Sequence, residues 1–268
     1  MNHRHIEVIR RTPERANGLP PLLFVHGAWH GAWCWEAHFL DYFAAQGFEV
    51  AALSLRGHGG SAAVRAMRWN RIADYVADVA QVAGAMAAPP VVIGHSMGGL
   101  VVQKYLESQP SPAAALLASV PPQGVWRTAL RLCARHPWLF LKTSLTLSLW
   151  PLVSTPALAH ESFFHLQLDP ALVQRYHQRM TDESFMGFLD MLCLNLPRPS
   201  RVRSPVAVLG ATEDQIFSAQ QVADTARAYG TTPVMFEAMA HDMMLEAGWQ
   251  QVADHLIHWL QHQLRQEH

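Results

Sequence analysis

The feature of this sequence that most clearly suggests chemical reactivity is a serine between two glycines. Ser96 lies midway between Gly94 and Gly98, after the apolar run 90–93 and before the helical pattern 99–106. The glycines leave room for a tight strand-to-helix turn that exposes the hydroxyl. Such a hydroxyl is a strong nucleophile only if a base accepts its proton and N–H groups stabilise the resulting oxyanion. An ordinary glycine-rich turn has the same pattern, so the other parts must be sought elsewhere in the chain.

A second apolar run could supply one of those N–H groups. Residues 21–25 are apolar, and His26, Gly27 and Ala28 follow them. A strand that ends in this way places a backbone N–H beside the nucleophile, so we expect the N–H of Ala28 to pair with that of Met97. Ordinary turn chemistry at the end of a strand would explain His26 and Gly27 equally well.

A carboxylate is expected just past the buried strand predicted at 206–210. Glu213 and Asp214 both occupy that loop. A carboxylate there can accept a hydrogen bond from a histidine and fix its tautomer. We favour Asp214, because the following residues 215–217 resemble the continuation common after this acid, and we expect Glu213 to be solvated.

The candidate base is His241, which follows the last predicted strand. The order Ser96, Asp214, His241 along the chain is one of the known orders of serine hydrolase residues. The chain has 16 histidines, so only its position distinguishes His241. The alternative is a partly buried loop histidine without a chemical role.

With these residues the chain resembles the α/β-hydrolase superfamily over essentially its whole length. Residues 25–35 are similar to the group that contains plant methyl esterases and hydroxynitrile lyases, and residues 241–246 are similar to the end of bacterial esterases and lysophospholipase-like members. The resemblance implies that Ser96 is the nucleophile, His241 the base and Asp214 the acid. It also implies that the N–H groups of Ala28 and Met97 bind the oxyanion.

Two positions depart from the pattern of these relatives. Ser54 stands where an aspartate is frequent, a change we expect the fold to tolerate. Hydroxynitrile lyases carry a lysine beside the histidine, whereas Asp242 stands here. Without that cation a departing cyanide is not stabilised, which disfavours a lyase.

The positions of these residues depend on alternating strands and helices. Apolar strands are predicted at 6–10, 21–25, 48–55, 90–95, 114–120, 205–210 and 233–237, and helices near 34–46, 70–87, 98–108, 218–229 and 246–264. This alternation predicts an α/β-hydrolase fold, with a mostly parallel sheet covered by helices on both faces. Ligands bind beyond the carboxyl ends of such strands, where all three candidate residues fall.

The stretch 121–203 interrupts this alternation with a long, aromatic, helical pattern. We expect a core of 1–120 and 204–268 and a helical cap of 121–203 that covers an apolar pocket. Trp29 is expected to line the pocket, and His95 is assigned to it as well. The run 138–150 is shorter than the about 20 apolar residues that span a bilayer, and we favour a buried cap helix over a segment on a lipid surface.

The amino-acid composition limits which kinds of molecule the protein is expected to bind. The 268 residues are 50% hydrophobic and 15% charged, with a net charge of −1 and no basic run, so nucleic acid is not expected as a partner. Three cysteines without metal-ligand spacing and no apolar signal core at the N-terminus predict reduced thiols in a cytoplasmic protein. His255, His258 and His262 share a helix face, but no carboxylate or cysteine completes a metal site in the sequence.

The resulting hypothesis is hydrolysis of a carboxylic ester with a hydrophobic acyl or alcohol part, through an acyl-enzyme on Ser96. No metal or organic cofactor is needed, and no stable membrane insertion is expected. A thioesterase, an amidase, or a carbon–carbon hydrolase or lyase could use the same residues. A small-ligand receptor with a silent site is the alternative from a different class.

Overall fold

Seven strands form one sheet in the computed structural model, which describes residues 5–265. The strands are β1 (Val8–Arg11), β2 (Leu22–Val25), β3 (Val50–Leu53), β4 (Val91–His95), β5 (Ala114–Leu117), β6 (Val206–Ala211) and β7 (Pro233–Phe236). Their order is β1-β3-β2-β4-β5-β6-β7, with β1 antiparallel to β3 and the other pairs parallel. The predicted mostly parallel sheet is confirmed.

Helices lie between the strands and in one long insertion. The core helices are α1 (Trp33–Glu36), α2 (Phe39–Ala45), α3 (Ile72–Gly84), α4 (Met97–Leu106), α10 (Ala219–Ala228) and α11 (Trp249–Arg265). The insertion between β5 and β6 holds α5 (Trp126–Arg135), α6 (Pro137–Thr146), α7 (Pro156–Phe163), α8 (Pro170–His177) and α9 (Phe185–Leu189), which continues into a π-helical turn, Asp190–Leu194.

Hydrophobic clusters on both faces of the sheet hold it in place. Residues of β2 are fully buried and alternate between the clusters, so Phe24 packs on one face and Leu23 on the other. The Phe24 ring lies 4.9 Å from the Trp35 ring, which anchors the start of the chain's first helices. Burial on both faces explains why these strands are continuous apolar runs.

The strand order reverses between β2 and β4, which is where an open α/β sheet binds its ligands. Val25 and Gly94 are partners in the β2–β4 register. Ala28 and Met97 each lie three positions beyond these partners. The register therefore brings the two chain segments out of the sheet at the same level.

The insertion helices begin at clear sequence signals. Thr155 accepts a hydrogen bond from the N–H of Leu158, and Asp169 accepts one from the N–H of Ala171. In both cases a proline occupies the first helical position, where its missing N–H costs nothing.

The interpretation of the run 138–150 as a buried helix was wrong. Helix α6 covers most of that run, and Thr143 is its one buried residue. Trp138 is 80% exposed and Leu145 is 76% exposed. Among residues 5–265, no helix combines the length and the apolar character needed to cross a membrane.

Candidate active site

Ser96 occupies a strained turn between β4 and α4. Its φ of 51° lies in the left-handed region, where a non-glycine residue costs about 1–3 kcal/mol. A Cβ at Gly98 would overlap the carbonyl oxygens of Val25 and His26, so the turn and the β2 strand end approach closely only because this residue is glycine. The Ser96 N–H donates to the carbonyl oxygen of Leu117 at 3.1 Å, which fixes the turn to β5.

The side chains of Ser96, His241 and Asp214, each predicted to follow a different strand, form one chain of hydrogen bonds. The Ser96 hydroxyl donates to His241 Nε2 at 2.9 Å, and His241 Nδ1–H donates to Asp214 Oδ2 at 2.9 Å. The side chains of His241 and Asp214 are 2% and 0% exposed. This arrangement lets a proton pass from the hydroxyl to the imidazole while the carboxylate faces the opposite ring nitrogen.

Geometry distinguishes the two neighbouring acids. Asp214 Oδ1 accepts hydrogen bonds from the N–H groups of Ile216 and Phe217 at 2.7 and 3.0 Å, which leaves Oδ2 facing His241. The Glu213 side chain is 46% exposed and lies 3.1 Å from His165 Nε2. Of the two candidates, Asp214 is therefore the one that contacts His241.

Ala28 and Met97 are the residues whose N–H groups are predicted to bind an oxyanion. Ala28 and Met97 line the same cavity as Ser96, and within residues 5–265 neither N–H has an acceptor. The preceding His26 is held on both ring nitrogens, since Nδ1–H donates to the Gly27 carbonyl oxygen at 2.7 Å and Nε2 accepts from the Leu55 N–H at 2.9 Å. These bonds fix the path of the chain just before Ala28.

A buried ion pair that the sequence analysis did not find joins the two sides of the site. His30 Nε2 lies 2.9 Å from Asp242 Oδ2, and both side chains are at most 1% exposed. His30 Nδ1–H donates to the carbonyl oxygen of Ala28 at 2.7 Å, while Asp242 directly follows His241. The pair therefore connects the Ala28 loop to the His241 loop.

The charges of this pair follow from its surroundings. Burial disfavours the charged form of His30, but the adjacent Asp242 carboxylate outweighs that effect and raises the pKa of His30. Burial likewise opposes ionisation of Asp242, and His30 reverses it, so the pKa of Asp242 lies below its usual value. The two shifts favour a charged pair inside the protein.

His95 lies behind His241 rather than in the cavity wall. Its Nε2–H donates to the carbonyl oxygen of His241 at 3.0 Å, and its side chain is 1% exposed. Burial, together with the nearby His241, lowers the pKa of His95 to about 3, so it stays neutral. The residues that line the cavity beside Ser96 do not include it.

One group of side chains has the spacing of metal ligands. Ligand atoms of His95, His241 and Asp242 lie within 4.8 Å of one another. Each already has a partner, because His241 bonds to Ser96, His95 bonds to a backbone carbonyl and Asp242 pairs with His30. The group is thus accounted for by contacts within the protein.

The cavity beside Ser96 is small and apolar, with a volume of about 90 Å³. Trp29 lines it and packs against Phe163, with ring centroids 5.5 Å apart. Most of the remaining wall comes from apolar residues of the insertion and the strand ends, which are Val120, Val125, Ala129, Leu132, Leu149, Leu152, Phe163, Phe188, Met191, Ile216 and Phe217.

A larger cleft adjoins the cavity. Its volume is about 310 Å³, and it shares Thr128, Leu132, Leu152 and Ile216 with the cavity wall. The Thr128 hydroxyl donates to the Ile216 carbonyl oxygen at 2.7 Å, which ties α5 to the loop that carries Asp214. Helix α5 therefore contributes Thr128 and Leu132 to the walls of both the cavity and the cleft.

The departure at Ser54 has a structural explanation. The Ser54 hydroxyl accepts from the Ala32 N–H at 2.9 Å and donates to Glu7 Oε2 at 2.5 Å. Glu7 Oε2 also accepts from the Gly60 N–H at 3.0 Å. A carboxylate from elsewhere in the chain thus lies beside the position where relatives often have an aspartate.

Fold and sequence comparison together define the class of this protein. A family model described as "Alpha/beta hydrolase family" matches residues 22–255. The chain belongs to the alpha/beta hydrolase family.

Individual relatives are more distant. A bifunctional esterase/perhydrolase from Acinetobacter calcoaceticus is 36% identical over 111 residues, which cover 38% of this chain and 38% of that protein. Methyl jasmonate esterase 1 from Vitis vinifera is 32% identical over 90 residues, or 33% of this chain and 34% of the relative. These alignments span less than half the length of the curated relatives.

Solved structures match over nearly the whole chain. The crystal structure of a Paleococcus ferrophilus monoacylglycerol lipase has a TM-score of 0.72 and 18% identity, and the match covers 97% of this chain and 99% of the other. At that identity the likeness shows the fold.

Proposed function

We propose that this protein is a serine hydrolase that cleaves carboxylic esters with a small hydrophobic acyl part. The main support is the line from Ser96 through His241 to Asp214, with two 2.9 Å hydrogen bonds, which opens on an apolar cavity. A curated relative named as an esterase, which matches part of the chain, supports the same class of reaction.

The first half of the reaction forms an acyl-enzyme. Ser96 Oγ attacks the ester carbonyl carbon while His241 Nε2 accepts the hydroxyl proton, and Asp214 stabilises the imidazolium. The carbonyl oxygen becomes an oxyanion and accepts hydrogen bonds from the N–H groups of Ala28 and Met97. Loss of one such donor typically costs about 3 kcal/mol in the barrier.

The second half releases the acid. His241 donates its proton to the leaving alcohol as the carbon–oxygen bond breaks, and a water molecule then takes the place of the alcohol. His241 accepts a proton from that water, hydroxide adds to the acyl carbon, and the Ser96 oxygen leaves with the returned proton. No metal or organic cofactor takes part in either half.

The insertion between β5 and β6 is proposed to act as the cap of this site. Leu132, Phe163 and Phe188 from three of its helices close the cavity over Ser96. Exclusion of water strengthens the oxyanion hydrogen bonds. A volume of about 90 Å³ is smaller than the about 150 Å³ of a cavity that binds benzene, which favours a short acyl chain next to Ser96 and places Trp29 against it.

Turnover of p-nitrophenyl butyrate tests this function. We expect the wild-type protein to turn over, and Ser96→Ala and His241→Ala each to lose several orders of magnitude with unchanged circular dichroism. Wild-type protein that binds small esters without releasing p-nitrophenol would instead favour a receptor on the hydrolase fold. Faster cleavage of matched thioesters or amides would redirect the proposal to those substrates.

A further inference from the structure

One face of helix α6 exposes large apolar side chains to solvent. Trp138, Leu141 and Leu145 are 80%, 45% and 76% exposed. Together with Lys142 they lie at positions i, i+3, i+4 and i+7 of the helix, which places all four within one stripe of about 100°. We call this stripe the α6 face.

The α6 face carries a cation, Lys142, and the chain around it carries no acids. The chain contains 21 Asp and Glu residues, yet none lies between residues 108 and 160. Helices α5 and α6 carry four cations, and of these Lys142 lies on the α6 face, where no carboxylate within residues 5–265 lies within 4 Å of its ammonium group. Arg127 lies over the Trp126 ring, and Arg131 donates to the Ile216 carbonyl oxygen and faces the cleft. The fourth, Arg135, pairs with Glu161 at 2.6 Å.

We propose that the α6 face binds the surface of a membrane that contains anionic lipids. Exposed Trp and Leu beside Lys and Arg are the features of a helix that lies in the plane of a lipid interface. The apolar side chains would enter the boundary between headgroups and acyl chains, and Lys142 would attract the anionic headgroups. The helix is ten residues long, or about 15 Å, so it lies on the membrane and does not cross it.

The charges disfavour a second copy of the chain as the occupant. A two-fold interface places the same patch of both copies together. Lys142 would then approach its counterpart, and the segment 108–160 offers no carboxylate to compensate. An anionic lipid surface satisfies both the apolar and the cationic side chains.

Vesicle sedimentation tests the proposal without use of the proposed hydrolysis. The Ser96→Ala protein serves as the background, so that no lipid is consumed. We expect it to sediment with vesicles of phosphatidylcholine mixed with phosphatidylglycerol, less with phosphatidylcholine alone, and less again at high salt. Failure to bind the anionic vesicles would overturn the proposal and leave the proposed function unaffected.

Matched variants assign the binding to the α6 face. Trp138→Ser is expected to weaken binding to the anionic vesicles about tenfold, and Lys142→Gln about fivefold. Trp69→Ser is the control, because Trp69 is 49% exposed but lies outside α5 and α6. Its binding should equal that of the background protein.

Two results contradict the assignment. Equal binding by Trp138→Ser and Trp69→Ser, with melting midpoints unchanged, would show that lipid does not contact the α6 face. Light scattering that finds a dimer, which Trp138→Ser dissociates, would assign the face to a second copy. A monomer that loses only vesicle binding supports the proposal.

Discussion

The carboxyl edge of the sheet and the α5–α6 pair differ in how far they bury their side chains. The side chains of Ser96, His241 and Asp214 are buried, and each residue is held by hydrogen bonds to a different strand end or loop. In α6 only Thr143 is buried, and the side chains of Trp138, Leu141 and Leu145 are exposed to solvent. On the proposed function, the reacting side chains would thus lie on the rigid sheet, while the insertion would carry an exposed apolar surface of its own. Substitutions at the sheet edge should thus change rates by orders of magnitude, and substitutions in the insertion by much smaller factors.

The largest effect distinguishes the two neighbouring acids. Asp214→Asn should reduce kcat for p-nitrophenyl butyrate about 10⁴-fold, because an amide neither stabilises the imidazolium nor selects the required tautomer. Glu213→Gln is the matched control, and its kcat should stay within about threefold of wild type, because Glu213 contacts His165 and not His241. The reverse ranking would assign the acid to Glu213.

The next effect concerns the buried pair behind the site. Asp242→Asn should reduce kcat about 100-fold, because His30 loses its partner and the Ala28 loop is no longer tied to the His241 loop. Asp78→Asn is the control, since Asp78 is an equally buried carboxylate that pairs with Arg56. Both variants should have a lower free energy of unfolding. Only Asp242→Asn should also slow the reaction of Ser96 with a fluorophosphonate, which phosphonylates the serine. Equal phosphonylation rates would limit Asp242 to a role in stability.

A third effect lies at the junction of the core and the insertion. Glu246 Oε1 accepts from the His165 N–H at 2.6 Å, and burial, more than the nearby Asp242, raises the pKa of Glu246 to about 7. In the unfolded chain the pKa of a glutamate is about 4.3. Between about pH 4.3 and pH 7, Glu246 is therefore more protonated in the folded state than in the unfolded state. The free energy of unfolding contributed by Glu246 therefore falls as the pH rises towards 7, by up to about 3 kcal/mol.

Glu246→Gln removes this titration and keeps the oxygen that faces His165. Relative to wild type, the variant should gain stability between pH 5 and pH 8 in urea unfolding experiments. Glu213→Gln, at an exposed carboxylate, should show no such gain. Parallel stability profiles of Glu246→Gln and wild type would mean that Glu246 ionises normally in the folded protein.

The smallest effect is expected from a substitution in the insertion between β5 and β6. Leu132→Ala should open the wall between the 90 Å³ cavity and the 310 Å³ cleft, and so raise kcat/KM for octanoate relative to butyrate esters about fivefold. Leu130→Ala on the same helix is the control, because Leu130 is 63% exposed and outside both spaces. Identical chain-length profiles for the two variants would show that acyl chains do not pass Leu132.

The sheet and the positions of the candidate residues were accessible from the sequence because both depend on local patterns. Fully buried strands appear as apolar runs, and the carboxyl ends of parallel strands meet at one edge. Residues placed just after such runs, as Ser96, Asp214 and His241 are, must then lie near one another. The preference for Asp214 over Glu213 used a local continuation, and their roles in catalysis stay predictions.

The missed features depend on contacts between distant segments. His30 and Asp242 come from opposite ends of the chain, and neither carries a local signal of its partner. Glu7 approaches Ser54 only once β1 pairs with β3. The apolar run 138–150 led to the prediction of a buried helix, because apolar composition alone does not show whether the protein's own core covers the run; that depends on the packing of the whole insertion.

Mass spectrometry of the fluorophosphonate-treated protein is the direct test of Ser96 as the nucleophile. We expect one stoichiometric adduct, located on the peptide that contains Ser96, with loss of ester turnover in proportion to labelling. We also expect His241→Ala, which leaves the serine without its base, to label far more slowly. An adduct on another residue, or full turnover by protein labelled at Ser96, would rule out this role of Ser96.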